Sequence, residues 1–333
     1  MQKYRFILRA KNNRNLLEIR RIEMNLIIQL VLLVVGFTML VKGADWFVDG
    51  AAGIAAKFGI PQLVVGLTIV AMGTSAPEAA VSITAAFKGT ADISVGNVLG
   101  SNILNVLIIL GLTGIITNVA IQKSTLLIEM PFMLAITLVF MFLGMNDGQI
   151  SFVEGIILWA LFIAYLAYLF VLAKKGNEEE EEPETRPVWK LLLLGVVGAG
   201  VVVWGSNIAV DAATAIAQMI GLSERFIGLT IVALGTSLPE LVTSVTAAKK
   251  GNADIAIGNI VGSNIFNILF VIGTSALIIP IPYAANFLVD ALVAFAAGVL
   301  LWIATFKKKE LTRPWGIVML LGYAAYFVYL LMM

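Results

Sequence analysis

GLTIVAMGTSAPE at residues 66–78 and GLTIVALGTSLPE at residues 228–240 are one motif written twice, 162 positions apart. The register holds without a gap through Asp92/Asp254, Asn97/Asn259, Ser101/Ser263 and Asn105/Asn267. Of the 48 positions from Gly66 to Thr113, 29 are identical to their mates. Fainter similarity runs outward to Gly43/Gly205, to Asp49/Asp211 and to the acidic pair Glu129/Asp290. Biased composition does not produce such a match, so the chain is an internal duplication.

The surroundings of the motif are those of a membrane protein. The chain is 60% hydrophobic and 13% charged, with a mean hydropathy of +0.97; soluble domains average about 45–50% apolar and about 25% charged residues. Apolar runs long enough to span a bilayer, about 20 residues each, begin near residues 25, 62, 93, 124, 150, 188, 226, 255, 284 and 312. The expected fold is an all-α integral membrane protein of about ten transmembrane helices. Five spans per copy is an odd number, so the second copy enters the membrane from the opposite side. The copies are then inverted five-helix repeats about a pseudo-two-fold axis in the membrane plane, an architecture that places substrate near the midplane on discontinuous helices.

The expected division is a basic N-terminal tail (1–24), a first repeat (25–173), an acidic linker (174–187) and a second repeat (188–333). The linker carries Glu178–Glu182 in a row and reads as solvated chain. The tail carries Lys3, Arg5, Arg9, Lys11, Arg14, Arg20 and Arg21; the apolar run that follows is a full span without a cleavage pattern, and Met24 is an alternative start.

With both termini outside, the cytoplasmic loops hold Lys57, Lys123, Lys174, Lys175, Arg186, Lys190, Lys249, Lys250, Lys307, Lys308, Lys309 and Arg313, against only Lys88 and Arg225 opposite. The positive-inside rule then places a multi-pass protein in the cell membrane with its linker in the cytoplasm. The basic tail argues the other way, but one segment weighs less than many loops.

A net charge of +1 gives no reason to expect nucleic acid. With no cysteine and no histidine there are no disulfides or thiolate metal sites, and the usual zinc ligand and general base are missing.

Thr74 and Glu78 lie four apart, which a continuous helix places on one face. Pro77 offers no N–H to the Gly73 carbonyl and its ring crowds that turn, so a kink is expected. Carbonyls freed inside a bilayer need another partner, and a cation is one. The second copy repeats this with Thr236, Ser237, Pro239 and Glu240. A carboxylate at bilayer depth costs about 2.5–3.5 kcal/mol on insertion scales. Two that meet would repel unless a cation lies between them or one is protonated. No Lys or Arg lies in the motifs to neutralise them. Two carboxylates among hydroxyls and carbonyls suit a hard cation, Ca²⁺ or Na⁺, rather than zinc or copper.

Asn97, Ser101 and Asn105 form a polar stripe on the next span, repeated as Asn259, Ser263 and Asn267. Ser101, Asn105, Ser263 and Asn267 are candidate site residues. Asn97 and Asn259, beside Gly96, Gly100, Gly258 and Gly262, read as packing residues. Asp92 and Asp254 read as N-caps. Lys42, Asp45 and Asp49 read as locally paired or snorkelling, and Glu129 and Asp290 as structurally paired acids.

The two GTSxPE copies, each followed by GN…GSN…N, closely resemble the alpha repeats of the sodium/calcium exchanger branch of the cation/calcium antiporters. The resemblance covers nearly all of residues 25–333 and is most specific in 66–114 and 228–275. Proton-coupled relatives carry GNAxE in place of GTSxPE. The resemblance implies a prokaryotic-type ten-helix antiporter that works by alternating access, with Ca²⁺ and Na⁺ as transported substrates and no cofactor or protein partner. Carried over by position, Glu78 and Glu240 are the central acidic ligands. Thr74 and Thr236 contribute carbonyls or hydroxyls. Ser75, Ser237, Ser101 and Ser263 line Na⁺ sites with the carbonyls of Ala71 and Ala233. Asn105 matches the family's asparagine, whereas Asn267 replaces the aspartate of several prokaryotic and potassium-dependent relatives. Coupling to K⁺ or H⁺ is the alternative within this class. A passive channel is the alternative outside it, disfavoured because channels are more often built from identical subunits around the membrane normal. An intramembrane enzyme is poorly supported without His, Cys or a Gly-x-Gly-Asp motif.

Overall fold

The computed structural model describes residues 2–174, 184–221, 233–285 and 287–332, with the backbone alone for residues 2–23 and 233. The acidic run Glu178–Glu182, Arg225 and the opening of the second motif copy from Gly228 lie outside the described residues. The first repeat consists of α1 (Gln2–Phe58), α2 (Gln62–Thr74), α3 (Ala76–Phe87), α4 (Asp92–Ile116), α5 (Thr125–Asp147) and α6 (Phe152–Lys174). The second consists of α7 (Val188–Met219), α8 (Ala233–Thr236), α9 (Leu238–Lys249), α10 (Ala253–Ile278), α11 (Phe287–Phe306) and α12 (Arg313–Met332). Among the described residues, 8 helices are long and apolar enough to cross a membrane, and α2 with α3, bent by 51°, makes a ninth when the pair is taken as one span. The short helices α8 and α9 hold the corresponding place in the second repeat.

The burial pattern is that of a bundle in lipid. Met24, Val34, Trp189, Val196 and Trp204 expose large apolar side chains on the outer helices, which is stable only against hydrocarbon. In α10 94% of the most apolar stretch is buried and in α4 72%, against 11% in α1. The two helices that follow the motifs therefore form the centre.

Symmetry is visible where α1 crosses α7. A Cβ on Gly36 would lie 2.9 Å from the Gly205 carbonyl oxygen, and one on Gly43 would lie 3.0 Å from that of Gly198. Gly198 and Gly205 are the repeat mates of Gly36 and Gly43, so the two close approaches are images of each other. Only glycine permits backbones this near.

Two short ladders close the ends. Strand β1 (Val119–Ala120) pairs antiparallel with β4 (Glu310–Leu311), and β2 (Gln149–Ile150) with β3 (Ile281–Pro282). Each joins one repeat to the other. At the β1–β4 end Gln122 Nε2 donates to Asp254 Oδ2 at 2.5 Å. At the linker, Lys57 Nζ donates to the Glu184 carbonyl at 2.9 Å, and Arg186 grips the Glu184 carboxylate at 2.6 Å. Hydrogen bonds from the Arg186 side chain and backbone push the Glu184 carboxyl down to about 2.

Two charge assignments need correction. Asp45 and Asp49 do not pair locally with Lys42: both take Lys250 Nζ, at 3.3 and 2.8 Å, a partner from the other repeat that sequence proximity does not reveal. Asp92 and Asp254 are not N-caps. They lie inside the first turns of α4 and α10, and neither helix start has a side-chain cap hydrogen bond. A carboxylate there still complements the positive helix end.

Candidate functional site

The motif breaks its helix. Ser75 (φ −82°, ψ 8°) and Ser237 (φ −91°, ψ 4°) leave helical geometry in the same way, and the axis bends by 51° between α2 and α3. Pro77 and Pro239 fall in the first turns of α3 and α9, where a missing N–H is harmless. The expected kink is thus a full break. Thr74 ends one helix and Glu78 sits in the first turn of the next, so they do not share one helical face. The break aims the N-terminal ends of α3 and α9 inward, with Glu78 and Glu240, each 1% exposed, at the positive ends.

The two copies interlock. Ser75 Oγ donates to Glu240 Oε1 at 2.8 Å, and Ser237 Oγ donates to Glu78 Oε1 at 3.4 Å. Ser101 Oγ lies 3.5 Å from the same Glu78 oxygen. Thr74 Oγ1 approaches Asn259 Oδ1 at 2.9 Å and the Val70 carbonyl at 3.1 Å. Ser263 Oγ donates to the Ala71 carbonyl at 3.4 Å, a contact made possible where α2 presses on glycines of α10: a Cβ on Gly262 would lie 2.8 Å from Leu67 O. Asn105 and Asn267 are buried and start π-helical turns, Asn105–Leu110 and Asn267–Ile272. Such turns interrupt the regular hydrogen-bond ladder, commonly at functional sites.

Four of the site's buried side-chain oxygens take no hydrogen bond from the described residues: Glu78 Oε2, Glu240 Oε2, Asn105 Oδ1 and Asn267 Oδ1. They are two pairs of repeat mates. Buried oxygens left open in this way carry a large desolvation penalty, and each is an acceptor of the kind a hard cation takes. Among the described residues no group of three Asp, Glu, His or Cys side chains is placed to hold a metal ion; the acidic side chains here are Glu78 and Glu240.

Asn97 and Asn259 are scaffold. Asn97 Nδ2 donates to the Glu78 carbonyl at 3.1 Å and to Ser82 Oγ at 2.9 Å, while Asn259 Nδ2 does the same to Glu240 and Ser244 at 3.3 and 2.9 Å. They hold the backbones of the two glutamates. Thr236 is half-buried at the end of α8; Ala233 opens that helix, its side chain outside the described residues. Glu129 accepts from the Tyr168 hydroxyl, and Asp290 from that of Tyr326 at 2.7 Å, so both acids are paired away from the centre. Sequence reasoning missed Ser82, Ser244 and the pair Asn102/Asn264. All four are identical in the two copies, and that identity was the available signal.

The family model described as sodium/calcium exchanger protein matches residues 28–171 and 190–332. The chain is 37% identical over 314 residues to the putative antiporter CaxA of Alkalimonas amylolytica, covering 90% of this chain and 98% of that protein. It is 32% identical over 350 residues to the sodium/calcium exchanger MaX1 of Methanosarcina acetivorans, covering 91% and 98%. A solved structure of the sodium-calcium exchanger NCX_Mj, soaked with 2.5 mM Na⁺ and 10 mM Sr²⁺, matches with a TM-score of 0.79 at 33% identity, covering 91% of this chain and 99% of that one.

Proposed function

The chain belongs to the sodium/calcium exchanger family, and on that premise we propose that Glu78 and Glu240 are the central ligands through which it exchanges Na⁺ for Ca²⁺. The single observation that carries this reading is the set of four open oxygens, two carboxylate and two amide, related by the repeat symmetry.

An all-oxygen set with two negative charges neutralises one Ca²⁺, an ion that takes about six to eight oxygens at about 2.3–2.6 Å. Glu78 and Glu240 supply the charge, and Asn105 and Asn267 add neutral oxygens. Na⁺ competes for the same carboxylates. Ser75, Ser101, Ser237 and Ser263, with the carbonyls of Thr74, Thr236, Ala71 and Ala233, line its sites. The two cations are therefore mutually exclusive.

Coupling follows from electrostatics. With neither ion bound, two carboxylates stay uncompensated at bilayer depth, at about 2.5–3.5 kcal/mol each on insertion scales. That penalty is largest when the site is sealed from water on both sides, so the unloaded protein does not reorient and transport is exchange. The inverted repeats provide the two orientations, because each half can adopt the arrangement of the other. The linker lies in the cytoplasm and the termini outside. Supporting this, Lys57 bonds to the linker at the Glu184 carbonyl, Lys250 bonds to Asp45 and Asp49 near the same end of α1 as Lys57, and the Lys309 carbonyl accepts from Ile121 beside the β1–β4 ladder.

The test is Ca²⁺ uptake into proteoliposomes. Uptake should require an outward Na⁺ gradient, and K⁺ should not substitute. Equal uptake with a K⁺ or H⁺ gradient alone would assign a different coupling ion, and uptake with no counter-ion at all would make the protein a channel.

A further inference from the structure

Asn102 and Asn264 lie on α4 and α10, one residue off the polar stripe. Asn102 Nδ2 donates to the Asn264 backbone carbonyl at 3.2 Å, and Asn264 Nδ2 donates to the Asn102 carbonyl at 3.2 Å. Each amide oxygen is also used. Asn264 Oδ1 accepts from Asn105 Nδ2 at 2.9 Å, and Asn102 Oδ1 accepts from Asn267 Nδ2 at 3.1 Å. All four bonds join one repeat to the other, and the two pairs are symmetry images.

The direction of every amide follows from this chain. A backbone carbonyl only accepts, so it fixes the Nδ2 end of Asn102 and Asn264. Their Oδ1 ends are then presented to Asn105 and Asn267, whose Nδ2 ends must face them. The Oδ1 atoms of Asn105 and Asn267 are left on the far side, without donors among the described residues. Were either ligand amide to turn over, two carbonyl oxygens would face each other and an NH₂ group would point at the cation.

We infer that Asn102 and Asn264 are positioning residues that hold Asn105 and Asn267 with their oxygens toward the transported cation, each repeat orienting the ligand of the other. This rests on the reading of Asn105 and Asn267 as ligands. The device makes a neutral side chain present only its acceptor end to the cation.

The test is a double-mutant cycle on the half-saturating Ca²⁺ concentration of Na⁺-driven uptake. Asn264→Ala should raise it about tenfold, the scale of one hydrogen bond at a charged centre. The same substitution in the Asn105→Ala background should add nothing, whereas in the Asn267→Ala background it should add its full factor. A packing role would multiply in both backgrounds, and that result overturns the inference. If Asn264→Ala has no effect while Asn105→Ala does, the positioning role fails and the ligand reading stands. If Asn105→Ala itself has no effect, the ligand reading falls and takes the positioning role with it. Should Asn264→Ala not purify as a monodisperse protein, the symmetric cycle of Asn102→Ala with Asn267→Ala gives the same decision.

Discussion

Ser75 Oγ reaches across the pseudo-two-fold axis to Glu240 Oε1 at 2.8 Å, and its mate Ser237 makes the reciprocal contact with Glu78 at 3.4 Å. Neither repeat thus contains a whole site. A carboxylate from one half is held by a hydroxyl from the other, so any relative movement of the halves alters both carboxylates at once.

The central prediction concerns the carboxylates. Glu78→Gln and Glu240→Gln should each abolish Na⁺-driven Ca²⁺ uptake, because losing one of two charges roughly halves the Coulomb attraction for a divalent ion. In buffer free of both ions the variants should be at least as heat-stable as the parent, since an uncompensated buried carboxylate has been removed. Retained uptake by monodisperse protein removes that residue from the centre.

The crossed serines should behave as a pair. Ser75→Ala and Ser237→Ala each remove a hydrogen bond to a carboxylate, a group whose bonds are worth about 1.5–3 kcal/mol. The half-activating Na⁺ concentration should shift by about tenfold or more in each, measured as Na⁺-driven Ca²⁺ release from loaded vesicles. A shift in one variant only would confine sodium coupling to one half.

The glycine crossing predicts a stability effect away from the ions. A Cβ on Gly198 would lie 2.4 Å from Phe47 N and 2.8 Å from the Gly43 carbonyl oxygen, while one on Gly200 meets nothing within 4 Å among the described residues. Gly198→Ala should lower the thermal midpoint in detergent, with overpacking costing about 1–3 kcal/mol. Gly200→Ala should leave it unchanged or raise it slightly. Equal midpoints would mean that α1 and α7 separate without penalty.

Orientation is open to direct labelling. The chain has no cysteine, so Asn177→Cys should react only with a thiol reagent that enters the cytoplasm, and Lys88→Cys should react from outside in intact cells. The reverse pattern would show that the basic tail, and not the loops, sets the topology.

The repeat, the membrane class and the paired glutamates are legible in the sequence because duplication preserves them position by position. The break at Ser75 is half legible. Pro77 announces a disturbance, yet an i, i+4 rule assumes a continuous helix and so placed Thr74 and Glu78 on one face. Partners that cross between repeats are illegible: nothing local tells Asp45 and Asp49 that Lys250 is near. Asn102 is illegible for a related reason. It falls off the stripe of Asn97, Ser101 and Asn105, and its use depends on α10 lying against α4.

The ladders carry a genetic consequence. Val119 pairs with Leu311 and Ile150 with Ile281, and each pair is the other's image under the duplication. A half-length polypeptide would therefore find its missing edge on a second molecule of itself lying upside down in the same bilayer. Such an ancestor would have had to enter the membrane in both directions, and its loops could favour neither. Joining the two copies in one chain removes that constraint. A fused pair can collect lysines on opposite sets of loops, which is what a fixed direction of insertion would need.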